Sequence, residues 1–233
     1  MKPYYNENGI TIYNADCQEV LPQFDTGYFD LCLTDFPYAV NVDYDGYVDN
    51  EENLVELIGN TMPHILRSSK VSLITCGTRN VQLYPRVSWL LGWYNSAGAG
   101  RGPWGFPCHQ PILVYGKDPY LKHHLGCYPD AFFNNEMSPK SIHPCPKPIG
   151  LWTWIMLRGS PFQTDLIMDP MMGSGTTLLV AKYSGRRAVG IEQSKAYCDE
   201  AIAKLESKDP LFTDVPISLK RKSVGLPQMR MEL

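Results

Sequence analysis

Short runs of apolar residues alternate along the chain with longer segments in which apolar residues recur every three or four positions. The short runs predict buried strands, and the helical spacing predicts helices with one buried face. Pro63 lies inside the first long helix and is expected to break or kink it, because proline lacks the amide hydrogen. Strands are predicted at residues 9–13, 29–34, 71–75, 112–115, 165–168 and 187–191, and helices at 51–67, 79–90, 149–158, 175–184 and 194–206, with a helical turn at 17–21.

Strands that alternate with helices predict an α/β fold, in which a mainly parallel sheet carries helices on both faces. Ligands of such sheets bind beyond the carboxyl ends of the strands. Asp35, Asp169 and Glu192 each follow directly on a predicted strand. We therefore expect these three acids to share one crevice.

A glycine-rich turn, Asp169-Pro-Met-Met-Gly-Ser-Gly-Thr-Thr177, separates one predicted strand from the next helix. Glycines at such a turn let the backbone approach a ligand, and an acid after the following strand, here Glu192, can accept ribose hydroxyls. The turn lacks the third glycine of the dinucleotide fingerprint, which favours an adenosine ligand without a pyrophosphate. S-adenosylmethionine fits that description. A Gly-x-Gly turn can also be purely structural, so the motif needs support from elsewhere.

Two further motifs supply that support: Asp35-Phe-Pro-Tyr38 follows the strand at 29–34, and His143-Pro-Cys-Pro-Lys-Pro148 precedes the glycine turn. With these motifs the chain resembles the DNA amino-methyltransferases, which methylate the exocyclic nitrogen of adenine or cytosine. The catalytic motif comes first and the cofactor loop last, which is the β-class order. The resemblance runs from about Ile10 to Leu205. It implies a Rossmann-like methyltransferase fold with permuted motifs and a reduced target-recognition region.

The resemblance implies catalytic roles for the four residues of the first motif. The exocyclic amine is a poor nucleophile because its lone pair is delocalised, so the base must leave the stack and be held in line with the methyl donor. Asp35 would accept a hydrogen bond from the amine, and the Phe36 carbonyl would be the second acceptor. Tyr38 would stack on the base.

Phe36 departs from the family pattern, which has proline at this position. Pro37 still favours an extended conformation for the residue before it, so the Phe36 carbonyl could keep its direction. The fixed backbone angle of the first proline is lost, and the phenylalanine ring is expected to take space beside the base. We therefore expect either a reshaped pocket or weaker activity.

The resemblance also implies which residues contact S-adenosylmethionine. Glu192 would accept the ribose hydroxyls, while His143 and Lys147 would frame the methionine end. Asp16, after the first strand, is either a further cofactor contact or an ordinary turn aspartate. The glycine turn would hold the methionine and adenosine moieties through Asp169, Pro170, Met171, Gly173, Ser174, Gly175 and Thr176, with Met171 in place of the family phenylalanine.

Charge is unevenly distributed over the 233 residues, although the net charge is only −3. Residues 1–56 contain twelve acids and one base, whereas residues 64–123 contain seven bases and one acid. The basic segment is a candidate phosphate-binding face, or else an ordinary solvated surface. We expect no membrane span, because no apolar run approaches the ~20 residues that one needs. Seven scattered cysteines and the lack of a secretory segment favour a cytoplasmic protein.

No metal site is predicted. Among the cysteines and histidines, only His124 and Cys127 approach the spacing of paired zinc ligands. The acidic block at residues 43–52 does not match a calcium-binding loop, and we expect a solvated loop and a helix start there.

We predict one methyltransferase domain at residues 1–206 and a tail at 207–233. The domain would comprise a catalytic half at 1–116, a short recognition region at 117–142 and a cofactor-binding half at 143–206. So short a recognition region indicates loose specificity or help from a second copy in a homodimer.

The function predicted from the sequence is transfer of a methyl group from S-adenosylmethionine to N6 of adenine in DNA, with the base flipped out of the duplex. Adenine is favoured because the catalytic motif begins with Asp35, and N4 of cytosine is the alternative. Another alternative is a cofactor- and DNA-binding homologue whose catalysis Phe36 impairs. Methylation of RNA or protein is a third reading, and a nicotinamide dehydrogenase is the weakest because the turn does not suit it.

Overall fold

The computed structural model describes residues 1–95, 102–136, 140–207 and 217–219. Within these ranges, nine strands form one sheet, and two more form a small hairpin. The strands are β1 (Tyr5–Glu7), β2 (Ile10–Asn14), β3 (Phe29–Asp35), β4 (Asp43–Tyr44), β5 (Tyr47–Val48), β6 (Ser69–Thr75), β7 (Trp89–Tyr94), β8 (His109–Gly116), β9 (Ala131–Phe133), β10 (Leu166–Asp169) and β11 (Arg187–Glu192). The helices are α1 (Cys17–Val20), α2 (Glu51–Ser68), α3 (Pro119–Lys122), α4 (Ile149–Gly159), α5 (Thr176–Tyr183) and α6 (Lys195–Glu206).

The large sheet has the order β1-β2-β11-β10-β3-β6-β8-β7-β9. Its five central strands, which in spatial order are β2, β11, β10, β3 and β6, run parallel to one another. At the edges, β1 is antiparallel to β2, β8 is antiparallel to both β6 and β7, and β9 is parallel to β7. The predicted mainly parallel α/β sheet is confirmed.

The centre of the sheet contains a topological switch point. From β3 the chain continues to β6 on one side, and from β10 it continues to β11 on the other, although β3 and β10 are direct neighbours. Connections that diverge in this way leave a crevice above the carboxyl ends of the two strands. Asp35 ends β3 and Asp169 ends β10, so both carboxylates lie at the mouth of this crevice.

Helices pack on both faces of the sheet and form two buried clusters. One cluster joins the sheet to α4, α5 and α6, with Trp152 and Leu178 among its members. The other joins it to α1 and α2, with Leu54, Met62 and Phe29 at its centre. Strands covered on both faces are apolar along most of their length, which explains the continuous apolar runs of the sequence.

One predicted helix is wrong, and the break expected at Pro63 does not occur. Residues 79–90 are not an α-helix: a 3₁₀ helix at Thr78–Leu83 ends before Pro85, and β7 begins at Trp89. Conversely, α2 continues through Pro63 without a break. Pro63 and Gly59, whose carbonyl loses its helical donor, are both exposed, so water can satisfy that carbonyl.

The sequence pattern also missed several short strands. The β4–β5 hairpin lies inside the acidic block that was predicted as a loop, and β9 lies inside the predicted recognition region. β9 pairs with β7, so part of that region extends the main sheet. The basic residues at 220–222 lie outside the described residues.

Among the described residues, no helix is long and apolar enough to span a bilayer.

Candidate active site

A cavity of about 410 Å³ opens at the carboxyl edge of the sheet, above the switch point. Asp35, Asp169 and Glu192 all lie on its wall, which confirms the expected shared crevice. The glycine turn forms one side, and the segment around His143 and Lys147 forms another. A cavity of this size falls within the range of small-molecule sites.

The glycine turn adopts a conformation that side chains would obstruct. Gly173 and Gly175 have φ values of 51° and 81°, in the left-handed region that glycine tolerates best. A Cβ atom on Gly173 would lie 2.8 Å from His143 Nε2, and one on Gly175 would lie 2.6 Å from Ala201 Cβ. Gly173 faces the cavity, whereas Gly175 lets the start of α5 pack against α6.

Asp169 is buried, and the turn itself uses both of its carboxylate oxygens. Oδ1 accepts a hydrogen bond from the Met171 amide at 3.1 Å, and Oδ2 accepts one from the Thr177 hydroxyl at 2.5 Å. Trp152 Nε1 in turn donates to the Thr177 hydroxyl at 2.8 Å. Burial raises the pKa of Asp169 to about 6, although the hydrogen bonds oppose that rise. This network fixes the shape of the turn.

Glu192 connects the end of β11 to the glycine turn. Its Oε2 accepts a hydrogen bond from the Gly173 amide at 3.0 Å, and its Oε1 accepts one from the Ser194 amide at 2.8 Å. Burial raises the pKa of Glu192, and these backbone hydrogen bonds oppose the rise. Each carboxylate oxygen can accept more than one hydrogen bond, so Glu192 can still receive donors from a ligand in the cavity.

Asp16 lies on the cavity wall but also has a structural role. It is the N-cap of α1 and accepts a hydrogen bond from the Gln18 amide at 2.8 Å. Both readings of this residue, turn aspartate and cavity contact, are therefore compatible with its position.

The β4–β5 hairpin lies against the cavity and was not found from the sequence. Ser194 Oγ donates to Asp45 Oδ2 at 2.6 Å, and Gln193 Nε2 donates to the Gly46 carbonyl at 3.1 Å. The loop before the hairpin is held by the buried carboxylate of Asp49, which accepts hydrogen bonds from three backbone amides of residues 39–42 at 2.8 to 3.0 Å. The acidic block is thus a structured part of the site.

Asp35 is surrounded by three side-chain donors. Its Oδ1 accepts hydrogen bonds from the Tyr38 hydroxyl at 2.8 Å and from the Thr75 hydroxyl at 2.5 Å. Its Oδ2 forms an ion pair with the ammonium group of Lys147. Thr75 ends β6, the neighbour of β3, so the parallel pairing of these strands brings the hydroxyl to the carboxylate.

Phe36 does not face the cavity, and the expectation that its ring takes space beside the base is wrong. The side chain is only 1% exposed and packs edge-on against Tyr84, with ring centroids 5.4 Å apart. The Phe36 amide also donates to the Thr75 carbonyl at 3.2 Å, a hydrogen bond that proline cannot make. Strand pairing and core packing therefore fix the backbone here in place of a proline ring.

Tyr38 is held at both its hydroxyl and its backbone. Its hydroxyl accepts a hydrogen bond from Gln110 while donating to Asp35, and its carbonyl accepts one from Asn80 Nδ2 at 2.7 Å. Burial raises its pKa, and the nearby Asp35 carboxylate adds to the rise. The ammonium group of Lys147 lies 5.0 Å from the centre of the ring.

His143 and Lys147, although four residues apart, point to different parts of the cavity. The His143 ring packs edge-on against Tyr197 at 4.8 Å and lies against Gly173 of the turn. Burial lowers the pKa of His143 to about 4, so the ring is neutral at neutral pH. Lys147 instead contacts Asp35 and Tyr38.

Comparison with known proteins agrees with this geometry. Residues 104–204 match the N6_N4_Mtase family model, described as DNA methylase. The type II methyltransferase M.ScaI of Streptomyces caespitosus is 24% identical over 89% of this chain and 84% of its own. M.HpaI of Haemophilus parainfluenzae is 24% identical over 87% and 76%. Over most of its length the chain is therefore similar to type II methyltransferases, and residues 104–204 are similar to the DNA methylase family.

Solved structures show the same fold. The PvuII DNA methyltransferase, described as cytosine-N4-specific, has a TM-score of 0.70 and 15% identity, over 92% of this chain and 93% of its own. The M1.HpyAVI-SAM complex has a TM-score of 0.62 and 22% identity, over 85% and 100%. The Rossmann-like fold expected from the motifs is therefore confirmed.

Several residues around the cavity were not assigned from the sequence. The environments of Asp35 and Asp169 also depend on Thr75, Gln110, Trp152 and Thr177. Of these four residues, only Thr177 lies in a recognised motif. The only sequence signal for Thr75 was its position at the end of a predicted strand. Within the described ranges, no group of three or more histidine, cysteine or acidic side chains could hold a metal ion.

Proposed function

We propose that this methyltransferase transfers a methyl group from S-adenosylmethionine to N6 of adenine in DNA. The observation that carries the proposal is the meeting of two motifs in one cavity. Asp35 at the end of β3 and the glycine turn after β10 line the same cavity, at the switch point of the sheet. Methyl transfer requires the donor and the acceptor to meet in line, and this arrangement provides a place for both.

The cofactor-side residues fit a nucleoside with a short amino-acid arm. Glu192 retains acceptor capacity for a ribose diol, and the backbone of Gly173 and Ser174 lies open on the cavity wall. Met171 and Tyr44 add apolar surface beside them. S-adenosylmethionine, when bound, supplies a methyl group on a positively charged sulfur. Asp169 acts on it indirectly, because its oxygens hold the turn in shape.

The catalytic-side residues act on the flipped base. The Asp35 carboxylate and the Phe36 carbonyl accept hydrogen bonds from the amine, which orients the nitrogen lone pair towards the methyl group. Methyl transfer would break the bond between the methyl group and sulfur, leaving a neutral thioether, while the nitrogen becomes positively charged and the negative charge of Asp35 stabilises that change. The nitrogen then passes one proton to the Asp35 carboxylate that accepts its hydrogen bond. Tyr38, fixed by Gln110 and Asn80, provides the stacking surface for the base.

N4 of cytosine is the second candidate, because the same two acceptors suit either exocyclic amine. The structural similarity to a methyltransferase described as cytosine-N4-specific favours it, whereas the aspartate at the head of the motif favours adenine. The type II methyltransferases among the relatives support modification of DNA at particular sequences, by a cytoplasmic protein. A homodimer would enlarge the short recognition region.

The test is product identification. Purified protein is incubated with labelled S-adenosylmethionine and unmethylated plasmid DNA, and the nucleosides are separated by mass spectrometry. We expect N6-methyladenine in the wild type and a rate at least about 10²-fold lower in Asp35→Asn, since one transition-state hydrogen-bond partner is weakened.

Cofactor affinity, measured in parallel by calorimetry, should be unchanged in Asp35→Asn. N4-methylcytosine as the product would select the second candidate. Cofactor binding by a wild type that methylates RNA or protein but not DNA would contradict the proposal, and so would binding with no methylation of any substrate.

A further inference from the structure

The ammonium group of Lys147 lies where the proposed function requires the amine of the target base. It pairs with Asp35 Oδ2 and lies 5.0 Å from the centre of the Tyr38 ring. These are the carboxylate that would bind the amine and the ring that would stack on the base. The side chains of Lys147 and Asp35 are 14% and 18% exposed, so the pair is largely withdrawn from water.

The carboxylate offers the base only one side. Oδ1 already accepts from Tyr38 and Thr75, both of which belong to the protein framework, while Oδ2 is occupied by Lys147. An amine that approaches Asp35 must therefore reach the oxygen that the ammonium group holds. Oδ2 can accept two hydrogen bonds, but the ammonium group lies beside the Tyr38 ring on which the base would stack, so lysine and the base compete for the space next to Oδ2.

The backbone around Lys147 is stiff, but its side chain can move. Pro146 and Pro148 flank it, and Pro148 is the N-cap of α4. Proline fixes its own backbone angle, which restricts movement of this segment, whereas the lysine side chain has four rotatable bonds. Displacement of the ammonium group thus needs only a change of side-chain rotamer.

We propose that Lys147 is a positioning residue that holds Asp35 and shields the stacking surface of Tyr38 while the pocket is empty, and that the target base displaces it. This inference rests on the proposed function. It differs from the role expected from the sequence, in which Lys147 frames the methionine end of the cofactor. The ion pair keeps a partly buried carboxylate satisfied until the amine replaces the ammonium group as its donor.

The test uses the methylated position, which sequencing of the DNA product in the preceding experiment identifies. A duplex with 2-aminopurine at that position is bound to the full-length protein at saturating concentration, and its fluorescence reports the fraction of base that has left the stack. 2-Aminopurine lacks the 6-amino group, so it cannot replace the ammonium group on Asp35. We therefore expect low fluorescence in the wild type.

Lys147→Met removes the competing charge at similar length, and we expect the flipped fraction to rise about threefold to tenfold, as suits an ion pair that is largely withdrawn from water. Lys147→Arg keeps the charge and should stay near the wild type. Lys195→Met is the matched control for the loss of one positive charge, because Lys195 is exposed and pairs with Asp199 on the surface. It should leave the fluorescence unchanged.

The outcomes separate this inference from the proposed function. A wild type that methylates no DNA overturns both. A wild type that methylates DNA, with Lys147→Met fluorescence equal to its own, overturns the displacement alone. If Lys147→Met raised the dissociation constant of S-adenosylmethionine without changing the fluorescence, Lys147 would be assigned to cofactor binding, as expected from the sequence.

Discussion

The two aspartates at the switch point differ in what holds them. Asp169 accepts hydrogen bonds from the Met171 amide and from the buried Thr177 hydroxyl, to which the Trp152 indole donates in turn. All these groups belong to the glycine turn and the adjoining helices. Asp35 is bound by three side chains from three separate segments, one of them a flexible lysine. The side of the cavity proposed to hold the cofactor is therefore fixed by the fold, whereas the side proposed to be catalytic contains a lysine whose long side chain can move.

This difference matches what each side must do. A cofactor site gains from a rigid shape, because preorganised contacts lose little freedom on binding. A site for a flipped base must be satisfied when it is empty and must still accept a new donor. The position of Asp35 then has to be fixed by the backbone rather than by the groups that bind its carboxylate. Phe36 fixes that backbone through its buried ring and its amide hydrogen bond to Thr75.

The largest expected effect comes from Phe36→Pro, which restores the family residue. It removes a buried aromatic side chain and the hydrogen bond from residue 36 to the Thr75 carbonyl. We expect the free energy of unfolding to fall by about 3–5 kcal/mol, measured by urea denaturation. Phe36→Leu keeps the amide and most of the apolar volume, and should cost about 1 kcal/mol.

The competing view is that Phe36 obstructs the base. On that view Phe36→Pro would be about as stable as the wild type and more active. That result would mean that the catalytic end is not anchored through Phe36, and the comparison between the two sides would lose its basis.

A smaller effect is expected from Gly173→Ala, which tests the rigid side. The positive φ strains an alanine here, and the His143 ring would have to shift, because its Nε2 lies 2.8 Å from the new Cβ. We expect the dissociation constant of S-adenosylmethionine to rise about tenfold, which corresponds to ~1.4 kcal/mol, measured by calorimetry.

Gly27→Ala is the matched control for this change. Gly27 also has a positive φ, of 66°, but nothing lies within 4 Å of an added Cβ. It should therefore lower stability through backbone strain alone, by about 1 kcal/mol, and leave cofactor binding unchanged. Equal cofactor affinity in both variants would show that the turn adapts, and that the cofactor side is not rigid.

The sequence predicted the parallel core of the fold and the residues at its strand ends because both depend on local patterns. Apolar runs gave the buried strands, and the position of Asp35, Asp169 and Glu192 after three of them placed all three at one edge. It failed where the structure depends on distant pairing. The strand β7 follows a proline and is stabilised by β8 and β9, so its own sequence carried no clear period.

The site could be predicted only in part, for a related reason. A motif names the residues that face a ligand but not the residues behind them, such as Thr75, which reaches Asp35 from another strand. The direction of a side chain is also hidden. Phe36 and Lys147 both lie in motifs, yet one points into the core and the other across the cavity to Asp35.

The stability of the folded chain is expected to depend on pH through His143, which packs between the glycine turn and the rings of Tyr44 and Tyr197. Burial lowers its pKa to about 4, whereas an unfolded histidine titrates near 6.5. Between these values the unfolded chain binds the additional proton. The contribution of neutral His143 to stability is therefore full above about pH 6.5 and is lost as the pH falls towards 4.

His143→Gln, which stays neutral, should lose this pH dependence. We expect the difference in unfolding free energy between wild type and variant to shift by about 2 kcal/mol between pH 7 and pH 4, after allowance for partial exposure. Urea denaturation at a series of pH values measures it, and the difference cancels the titration of all other groups. If the unfolding free energies of the two proteins changed in parallel with pH, the folded turn would accept a charged His143 ring. The glycine-turn side of the cavity would then be as adaptable as the side that Lys147 occupies.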